Sequence, residues 1–387
     1  MDMICHLFFG EAFFYLALFL WFFTLAALEC CLPLEKRLRF IGAEISLIGL
    51  TLILGLRWET GTDWINYKVL FDTLEINTSS IFAVYSFDIG FVFLNAAVRL
   101  FSNNYSVFLL VNSALAIGLI YVFLKKCSPF PNTSIVLFYT SYFIPHYMGS
   151  NRRVIAIGFL LLLFLKVPKV SPSRLAFLQG MSLAFHRSSI VGLLSLLVPS
   201  QHFSWKYLSM LLGSCAVLAV MQAPVGLIEG LGRLLSGSTN IELVAKMIYY
   251  GSTSKDHVSE NVNVFTQTLL SLLKRIIFLA IFFVTIRRFR EPGIHAKLLN
   301  LYIIGIAIYV LFVGSPIFQV LSTYFCIVEI ALIGMSAMHL RSNQRPILII
   351  FLFFYGILQL INSLNPYPEL FIPYISIFSE SERWLLF

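Results

Sequence analysis

The chain has 387 residues, of which 59% are hydrophobic and 12% are charged, against roughly 45–50% and about 25% in an ordinary soluble domain. A soluble fold of this size cannot bury so much apolar surface, so the composition excludes a soluble globular protein as well as a disordered or disulfide-stapled chain. The 27 Lys and Arg outnumber the 19 Asp and Glu by eight, and in a membrane protein such an excess marks cytoplasmic loops rather than nucleic-acid binding. We therefore predict an all-α polytopic membrane protein.

Apolar runs long enough, or nearly long enough, to cross ~30 Å of hydrocarbon recur along the chain. Because backbone groups in lipid must be paired within their own segment, these runs are predicted to be helices. The first run has no basic region before it and no small-residue cleavage site after it, so we interpret it as a membrane helix rather than a signal peptide. About twelve transmembrane helices are predicted near 7–29, 40–56, 105–124, 133–148, 153–167, 171–185, 188–202, 205–222, 264–286, 298–313, 317–339 and 346–363.

Basic clusters assign the two sides of the membrane. With twelve crossings, six clusters share one side, which the positive-inside rule makes cytoplasmic, provided that segment 88–101 is a partial or surface-lying helix. The chain is then a single transmembrane domain, 1–387, with two periplasmic loops, 57–104 and 223–263, and an outer tail, 364–387. The clusters are Lys36/Arg37/Arg39, Lys125/Lys126, Lys166/Lys169/Arg174, Lys206, Arg287/Arg288/Arg290/Lys297 and Arg341/Arg345.

The first group of candidate functional residues follows the second helix. We expect a short helix that is capped by Thr62 and has Asp63 in its first turn, so that Arg57, Glu59 and Asp63 lie near the boundary of the bilayer. An interfacial anchor, with Arg57 bound to lipid phosphate, explains the pattern equally well. The apolar side has the spacing of a helix lying on the membrane surface and consists of Trp64, Tyr67, Phe71 and Leu74.

Adjacent arginines form the second group, in the sequence Ser150-Asn151-Arg152-Arg153. The topology puts them outside, where basic residues are usually few. Arginine presents a planar fork of donors that fits phosphate oxygens, and the free amides of a following helix would add to anion binding. The pair indicates a phosphate site, unless both side chains only reach lipid headgroups.

His186 and Arg187 form the third group and interrupt an apolar stretch. Isolated polar residues at membrane depth are costly and are by default functional candidates. A histidine can orient or remove a proton near neutral pH, which makes His186 a candidate base. The alternative is a structural histidine bonded to a neighbouring carbonyl.

Lys274 and Arg275 lie about halfway along the run 264–286. A charge at that depth needs an anion. The anion is either a phosphate of a ligand or an intramembrane carboxylate, for which Glu44 and Glu329 are the candidates. A diphosphate contact and a structural salt bridge are both compatible with the sequence.

Several cations and few acids thus gather on the outer side of a topology that other residues define. This combination indicates a site for a polyanionic headgroup, and a diphosphate tethered to a lipid fits because its tail can stay in the membrane. The sequence contains no glycine-rich phosphate loop, no metal-ligand cluster and no nucleic-acid module. We therefore expect neither a metal nor a cofactor.

Four short motifs occur in the order seen in the EpsG family, which belongs with the Wzy O-antigen and capsule polymerases. This chain resembles that family clearly over residues 40–200, and beyond them by hydropathy and the Lys274-Arg275 pair. It departs from the family at Trp64, where Tyr is usual, at Asp88, where Glu is usual, and at Arg153, where Gln is common. An Arg that the family pattern places near 319–324 is missing from this sequence. The motifs are Arg57…Gly61-x-Asp63…Tyr67, Asp88-Ile89-Gly90-Phe91, Arg152…Ala156 and Phe185-His186-x-Ser188.

The resemblance implies a GT-C-like, metal-independent membrane glycosyltransferase of the bacterial inner membrane, with its active site facing the periplasm. Such an enzyme transfers the growing glycan from undecaprenyl diphosphate to the non-reducing end of a lipid-linked repeat unit, and a chain-length regulator is a further implied partner. The predicted catalytic residues are Asp63, Glu59, His186 and Arg152. The predicted diphosphate-binding residues are Arg57, Arg152, Arg153, Lys274 and Arg275. The residues predicted to contact sugar or lipid are Tyr67, Trp64 and Asp88.

Two other functions compete with a polymerase. An O-antigen ligase uses the same donor, and no motif here separates the two physically. A flippase or other transporter of lipid-linked oligosaccharides belongs to a different class. Transporters commonly consist of two related halves with a site near the bilayer midplane, and no such halves are evident in this sequence.

Overall fold

The computed structural model describes residue 7 and residues 10–76, 87–167, 169–236, 264–286 and 293–379. Within these ranges the regular structure is helical, apart from one isolated antiparallel bridge between Arg57 and Ser376. The predicted all-α class is therefore confirmed for the described part of the chain. By contacts, the chain divides into two compact units: Met1–Leu193 with Ile330–Phe387, and Leu194–Glu329.

The α-helices are numbered here in chain order. Three short segments have other helical forms: a π-helix at Tyr139–Tyr147 and 3₁₀ helices at Arg187–Leu197 and Val320–Ser322. The α-helices are α1 (Phe13–Cys31), α2 (Lys36–Gly55), α3 (Trp64–Thr73), α4 (Ile89–Arg99), α5 (Tyr105–Cys127), α6 (Pro131–Phe138), α7 (Asn151–Phe164), α8 (Pro172–Phe185), α9 (Trp205–Val220), α10 (Ala223–Ser236), α11 (Val264–Ile286), α12 (Ile294–Leu311), α13 (Pro316–Gln319), α14 (Thr323–Cys326), α15 (Glu329–His339), α16 (Arg345–Leu364) and α17 (Pro368–Phe371).

In the first unit, α5 packs along both α2 and α7, α7 packs along α8, and α1 packs against α6 and α16. Gly158 allows the close approach of α7 to α5, since a Cβ at this position would lie 2.6 Å from the side chain of Leu119. The start of α6 is held by the buried Glu29 of α1, whose carboxylate accepts hydrogen bonds from both the amide and the side chain of Asn132 and of Thr133. These contacts fix α6 and the π-helix that follows it.

In the second unit, α12 packs against α9, α11 and α14. The side chain of Asn300 in α12 is fully buried. It donates to the carbonyl oxygens of Pro199 and Gln201 at 3.0 and 2.6 Å and accepts from the amide of Phe203 at 3.2 Å. One amide side chain therefore satisfies the backbone of the turn that leads into α9.

Six helices in the described ranges are long and apolar enough to cross a membrane, namely α1, α2, α5, α11, α12 and α16. Two bent pairs, α9 with α10 and α13–α14 with α15, raise the number to eight if each pair is one span. On α2 and α16 large apolar side chains face outward, with Ile48 61% and Phe354 62% exposed, a pattern that lipid can cover. The chain is a multi-pass membrane protein.

Four of the twelve predicted crossings, from 133–148 to 188–202, correspond to shorter elements. The apolar run near 133–148 is a helix of 8 residues followed by a π-helix of 9, α7 and α8 have 14 residues each, and 187–197 is a 3₁₀ helix. At 1.5 Å per residue, an α-helix of 14 residues spans about 21 Å, less than ~30 Å of hydrocarbon. Twelve full crossings and a GT-C-like fold therefore stay predictions.

The sidedness of the loops and the single domain over 1–387 also stay predictions. Loop 57–104 contains α3 and α4, and α4, with 11 residues, is too short to cross the membrane alone. Of loop 223–263, only α10 lies in the described ranges, and residues 237–263 lie outside them. The basic cluster at 287–290 lies outside them as well.

Candidate functional site

The chain leaves α2 through a turn that pairs with the C-terminal segment. The amide of Trp58 donates to the carbonyl oxygen of Ile375 at 2.9 Å, and the amide of Gly61 donates to that of Leu370 at 3.0 Å. The phenol of Tyr374 donates to the carbonyl oxygen of Ile53 at 2.7 Å. We predicted only an outer tail for 364–387 and missed this contact, because a short backbone pairing between distant segments leaves no periodic signal in the sequence.

The same turn lies directly against the segment that precedes α7. Gly61 has φ 107°, in the left-handed region that favours glycine, and a Cβ at this position would lie 2.0 Å from the carbonyl oxygen of Met148. Glu59 is also left-handed, with φ 48°, and is 9% exposed. Two motifs that are separated by about 90 residues in the chain are therefore in van der Waals contact.

Replacement of Gly61 by alanine tests this contact. We expect Gly61→Ala to lower the melting temperature of the purified protein by about 5 °C or more, because the new methyl group meets backbone that cannot move cheaply. Gly118→Ala in α5 is the matched control: a Cβ there meets nothing within 4 Å, and alanine is the better helix former. Equal melting temperatures for the two variants would contradict the close packing at Gly61.

Arg57 lies inside the protein, with 1% of its surface exposed. Its guanidinium donates to the side-chain oxygen of Asn151 at 2.6 Å and to the carbonyl oxygen of Tyr147 at 3.4 Å. It thus ties the turn after α2 to the first residue of α7. Its predicted contact with a diphosphate stays a prediction, whereas its positioning of the start of α7 is a feature of the structure.

The helix α3 differs from its expected form in two respects. It begins at Trp64 with Asp63, not Thr62, as its N-cap, and no side chain caps it. Its apolar stripe is buried against the aromatic rings of Tyr105, Phe91 and Phe108 instead of lying on the membrane surface. The predicted helical spacing of the apolar stripe is confirmed, but its predicted location on the membrane surface is wrong. Helical periodicity identifies an apolar face without identifying what covers it.

Tyr67 links α3 to the start of α7. Its phenol donates to Asp63 Oδ2 at 2.9 Å, lies 3.3 Å from Ser150 Oγ and accepts from Arg152 Nε at 3.5 Å. Burial, together with the charge of Asp63, raises the pKa of Tyr67 above its usual value. The phenol therefore keeps its proton near neutral pH and orients the carboxylate of Asp63, which is half-buried.

Asp88 is the centre of the site and binds arginines from two other segments. Its Oδ2 lies 2.9 Å from a terminal guanidinium nitrogen of Arg152, and its Oδ1 lies 3.3 Å from Nε of Arg187 and 3.1 Å from the amide of Arg187. Burial raises the pKa of the Asp88 carboxyl, and the neighbouring Arg152 acts in the opposite direction. The guanidinium of Arg152 also lies 5.0 Å from the ring centroid of Phe87.

His186 lies at the end of α8, with Nδ1 2.7 Å from Ser188 Oγ. Burial lowers the pKa of His186 to about 3, and the charges of Arg153 and Arg152 act in the same direction. The imidazole is therefore neutral near neutral pH, and both arginines lie close enough to influence it. Arg153 itself is half-buried. A pKa this low makes His186 a weak base, and its catalytic role stays a prediction.

Lys274 and Arg275 belong to the second unit. Lys274 Nζ lies 2.9 Å from Glu329 Oε1, which is the salt bridge considered as the alternative to a ligand contact. The guanidinium of Arg275 lies 3.6 Å from the ring centroid of Tyr309 and donates to the carbonyl oxygen of Ser271 at 3.0 Å. Diphosphate binding by this pair stays a prediction.

Four of the predicted site residues, Asp63, Tyr67, Asp88 and Arg152, form one connected network in the first unit. Arg57 bonds to Asn151, the residue before Arg152, and His186 directly precedes Arg187, which pairs with Asp88. Arg187, Asn151 and Ser150 take part although we did not assign them a role. No group of three or more His, Cys, Asp or Glu side chains in the described ranges is arranged to hold a metal ion.

The fold and the site define a multi-pass helical membrane protein in which two arginines from distant segments, Arg152 and Arg187, bind one carboxylate. A family model for the EpsG family matches residues 44–376, so the chain belongs to that family, whose members are Wzy-type polymerase-like proteins. The predicted resemblance is thereby confirmed over most of the chain. Neither the comparison with curated proteins nor that with solved structures finds a match.

Proposed function

We propose that the protein is a polysaccharide polymerase of the bacterial inner membrane with its active site facing the periplasm. It transfers a growing glycan from a polyprenyl diphosphate such as undecaprenyl diphosphate to the non-reducing end of another lipid-linked repeat unit. The observation that carries the proposal is the pairing of Arg152 and Arg187 with Asp88, from segments that lie far apart in the chain. The charges of Arg153 and Arg152 also act on the nearby His186. Membership of the EpsG family supports the same reaction class.

The bond that breaks joins the anomeric carbon of the donor sugar to an oxygen of the diphosphate, so negative charge grows on the leaving group. Preplaced guanidinium groups stabilise this charge more in the transition state than in the bound substrate, which lowers the barrier. The side chains of Arg152 and Arg187 are 21% and 60% exposed. Both can therefore be reached by a lipid-borne diphosphate from the surface of the site.

The attacking hydroxyl of the acceptor sugar must lose its proton, and Asp63 is the most suitable base. Its carboxylate is half-buried at the start of α3 and is oriented by the phenol of Tyr67. Glu59 is more deeply buried, and the low pKa of His186 makes it a poor proton acceptor at neutral pH. Trp64 is 1% exposed and packs against the rings of Trp58 and Tyr105; its predicted contact with sugar or lipid stays a prediction.

Reconstitution of the purified protein with a single lipid-linked repeat unit tests the proposal. A polymerase forms a ladder of products that differ by one repeat unit without any lipid A core. Product that forms only after lipid A core is added would identify a ligase instead. Movement of the substrate across the membrane without new glycosidic bonds would identify a flippase, and either result would overturn the proposal.

A further inference from the structure

Asp88 is the one carboxylate that bonds to arginines from two segments in the described part of the first unit. It precedes α4, whereas Arg152 lies in the first turn of α7 and Arg187 follows α8. We propose that Asp88 is a positioning residue that fixes the spacing and direction of the Arg152 and Arg187 guanidinium groups, so that both meet the same diphosphate. This inference rests on the function proposed above and assigns Asp88 a role other than contact with the sugar.

The geometry at the start of α4 supports this role. An aspartate at an N-cap ordinarily accepts hydrogen bonds from the first free amides of its own helix. Asp88 is the N-cap of α4 but makes no such side-chain bond. Its two oxygens are turned away from α4, one toward Arg152 and the other toward Arg187.

The carboxylate of Asp88 is more deeply buried than the two guanidinium groups that it binds. The side chain of Asp88 is 7% exposed, whereas that of Arg187 is 60% exposed and that of Arg152 is 21% exposed. The carboxylate therefore lies behind the guanidinium groups and is the least accessible of the three groups to a sugar or a lipid. A ligand that approaches from the surface meets the arginines first.

Two guanidinium groups repel each other when they are held close together, more strongly in a partly buried site than in water. A shared carboxylate offsets this repulsion and sets the direction of each planar donor group. A leaving diphosphate has several oxygens and gains charge during the reaction, so correct placement of both guanidinium groups matters most in the transition state. Loss of Asp88 should therefore reduce turnover more than donor binding.

Asp88→Asn keeps the size of the side chain and removes its charge. In full-length protein reconstituted with a lipid-linked repeat unit, we expect turnover per folded molecule to fall about a hundredfold. The apparent KM for the donor should change by less than about threefold, because the site gains one net positive charge that attracts the diphosphate. Asp88→Glu, which retains the carboxylate, should keep at least about a tenth of the wild-type turnover. Asp72→Asn is the control, since Asp72 is exposed and pairs with Lys68 within α3.

The inference would be overturned if Asp88→Asn retained wild-type turnover, whether or not its KM for the donor rose. If Asp88→Asn yields no folded protein, Asp88→Asn combined with Arg187→Gln is compared with Arg187→Gln alone. We expect the double variant to be at least about tenfold slower than the single one, because Arg152 is also no longer held, and equal turnover would overturn the inference. Absence of any ladder from the wild-type protein would instead count against the proposed polymerase function.

Discussion

Arg152→Lys is expected to reduce the rate of polymer formation by about a hundredfold or more, while the amount of membrane-inserted protein stays unchanged. Lysine retains the positive charge but loses the planar fork that bonds to Asp88 Oδ2 and to the phenol of Tyr67. The magnitude is typical for removal of one preorganised donor that stabilises a developing anion. The measurement is the initial rate and the length distribution of lipid-linked ladders made by reconstituted protein.

Arg174→Lys is the matched control for this variant. Arg174 is exposed near the beginning of α8, at the opposite end of that helix from His186. We expect wild-type ladders from Arg174→Lys. Full-length polymer at the normal rate from Arg152→Lys would remove Arg152 from the mechanism.

Asp63→Asn is expected to lower turnover by about 10²- to 10⁴-fold, the usual contribution of a general base. Asparagine keeps the shape of the side chain and can still accept the hydrogen bond from Tyr67, so the start of α3 should not change. The carboxamide cannot take the proton of the acceptor hydroxyl. The measurement is the rate of a single glycosyl transfer at saturating donor and acceptor, which isolates turnover from binding.

Asp72→Asn serves as the control for Asp63→Asn, because both carboxylates belong to the α3 region and the side chain of Asp72 is 44% exposed. Its turnover should equal that of the wild type. If Asp63→Asn also retains wild-type turnover, the base is another group. Parallel variants Glu59→Gln and His186→Gln then decide between the two remaining candidates.

The sequence was sufficient for the class of the protein, and it singled out several residues that the structure connects with one another. Composition and apolar runs predicted a helical membrane protein, because lipid imposes strong constraints on both. The joint pattern of Arg57, Arg152 and His186 predicted that distant segments act together. The pattern after the second helix also singled out Asp63 and Tyr67, and family resemblance added Asp88; all three lie in the same network.

Other features depend on tertiary packing, which the sequence pattern does not reveal. The stripe of α3 was assigned to the membrane surface because burial under Tyr105 and Phe91 produces the same periodicity. The apolar runs 153–167 and 171–185 were predicted as crossings, whereas the helices there, α7 and α8, have only 14 residues each, because hydropathy does not reveal where a helix ends. The pairing of Trp58 with Ile375 joins two segments that carry no local signal for each other.

Arg57 illustrates why a charge pattern alone does not assign a role. Its motif suggested a cation at the bilayer boundary that binds a phosphate, but the side chain is buried and bonds to Asn151 and to the carbonyl oxygen of Tyr147. Arg187 shows the opposite case. It was counted among the outer-side cations but was given no role of its own, yet its guanidinium is exposed and paired with Asp88.

A cryo-EM structure of the full-length protein in a lipid nanodisc with a non-hydrolysable polyprenyl-diphosphate sugar tests the central claim most directly. We predict density for the diphosphate within about 3 Å of the guanidinium nitrogens of Arg152 and Arg187, with the donor sugar on the side of Asp63. Density for the diphosphate away from these two arginines, for example against Lys274 and Arg275, would contradict the account.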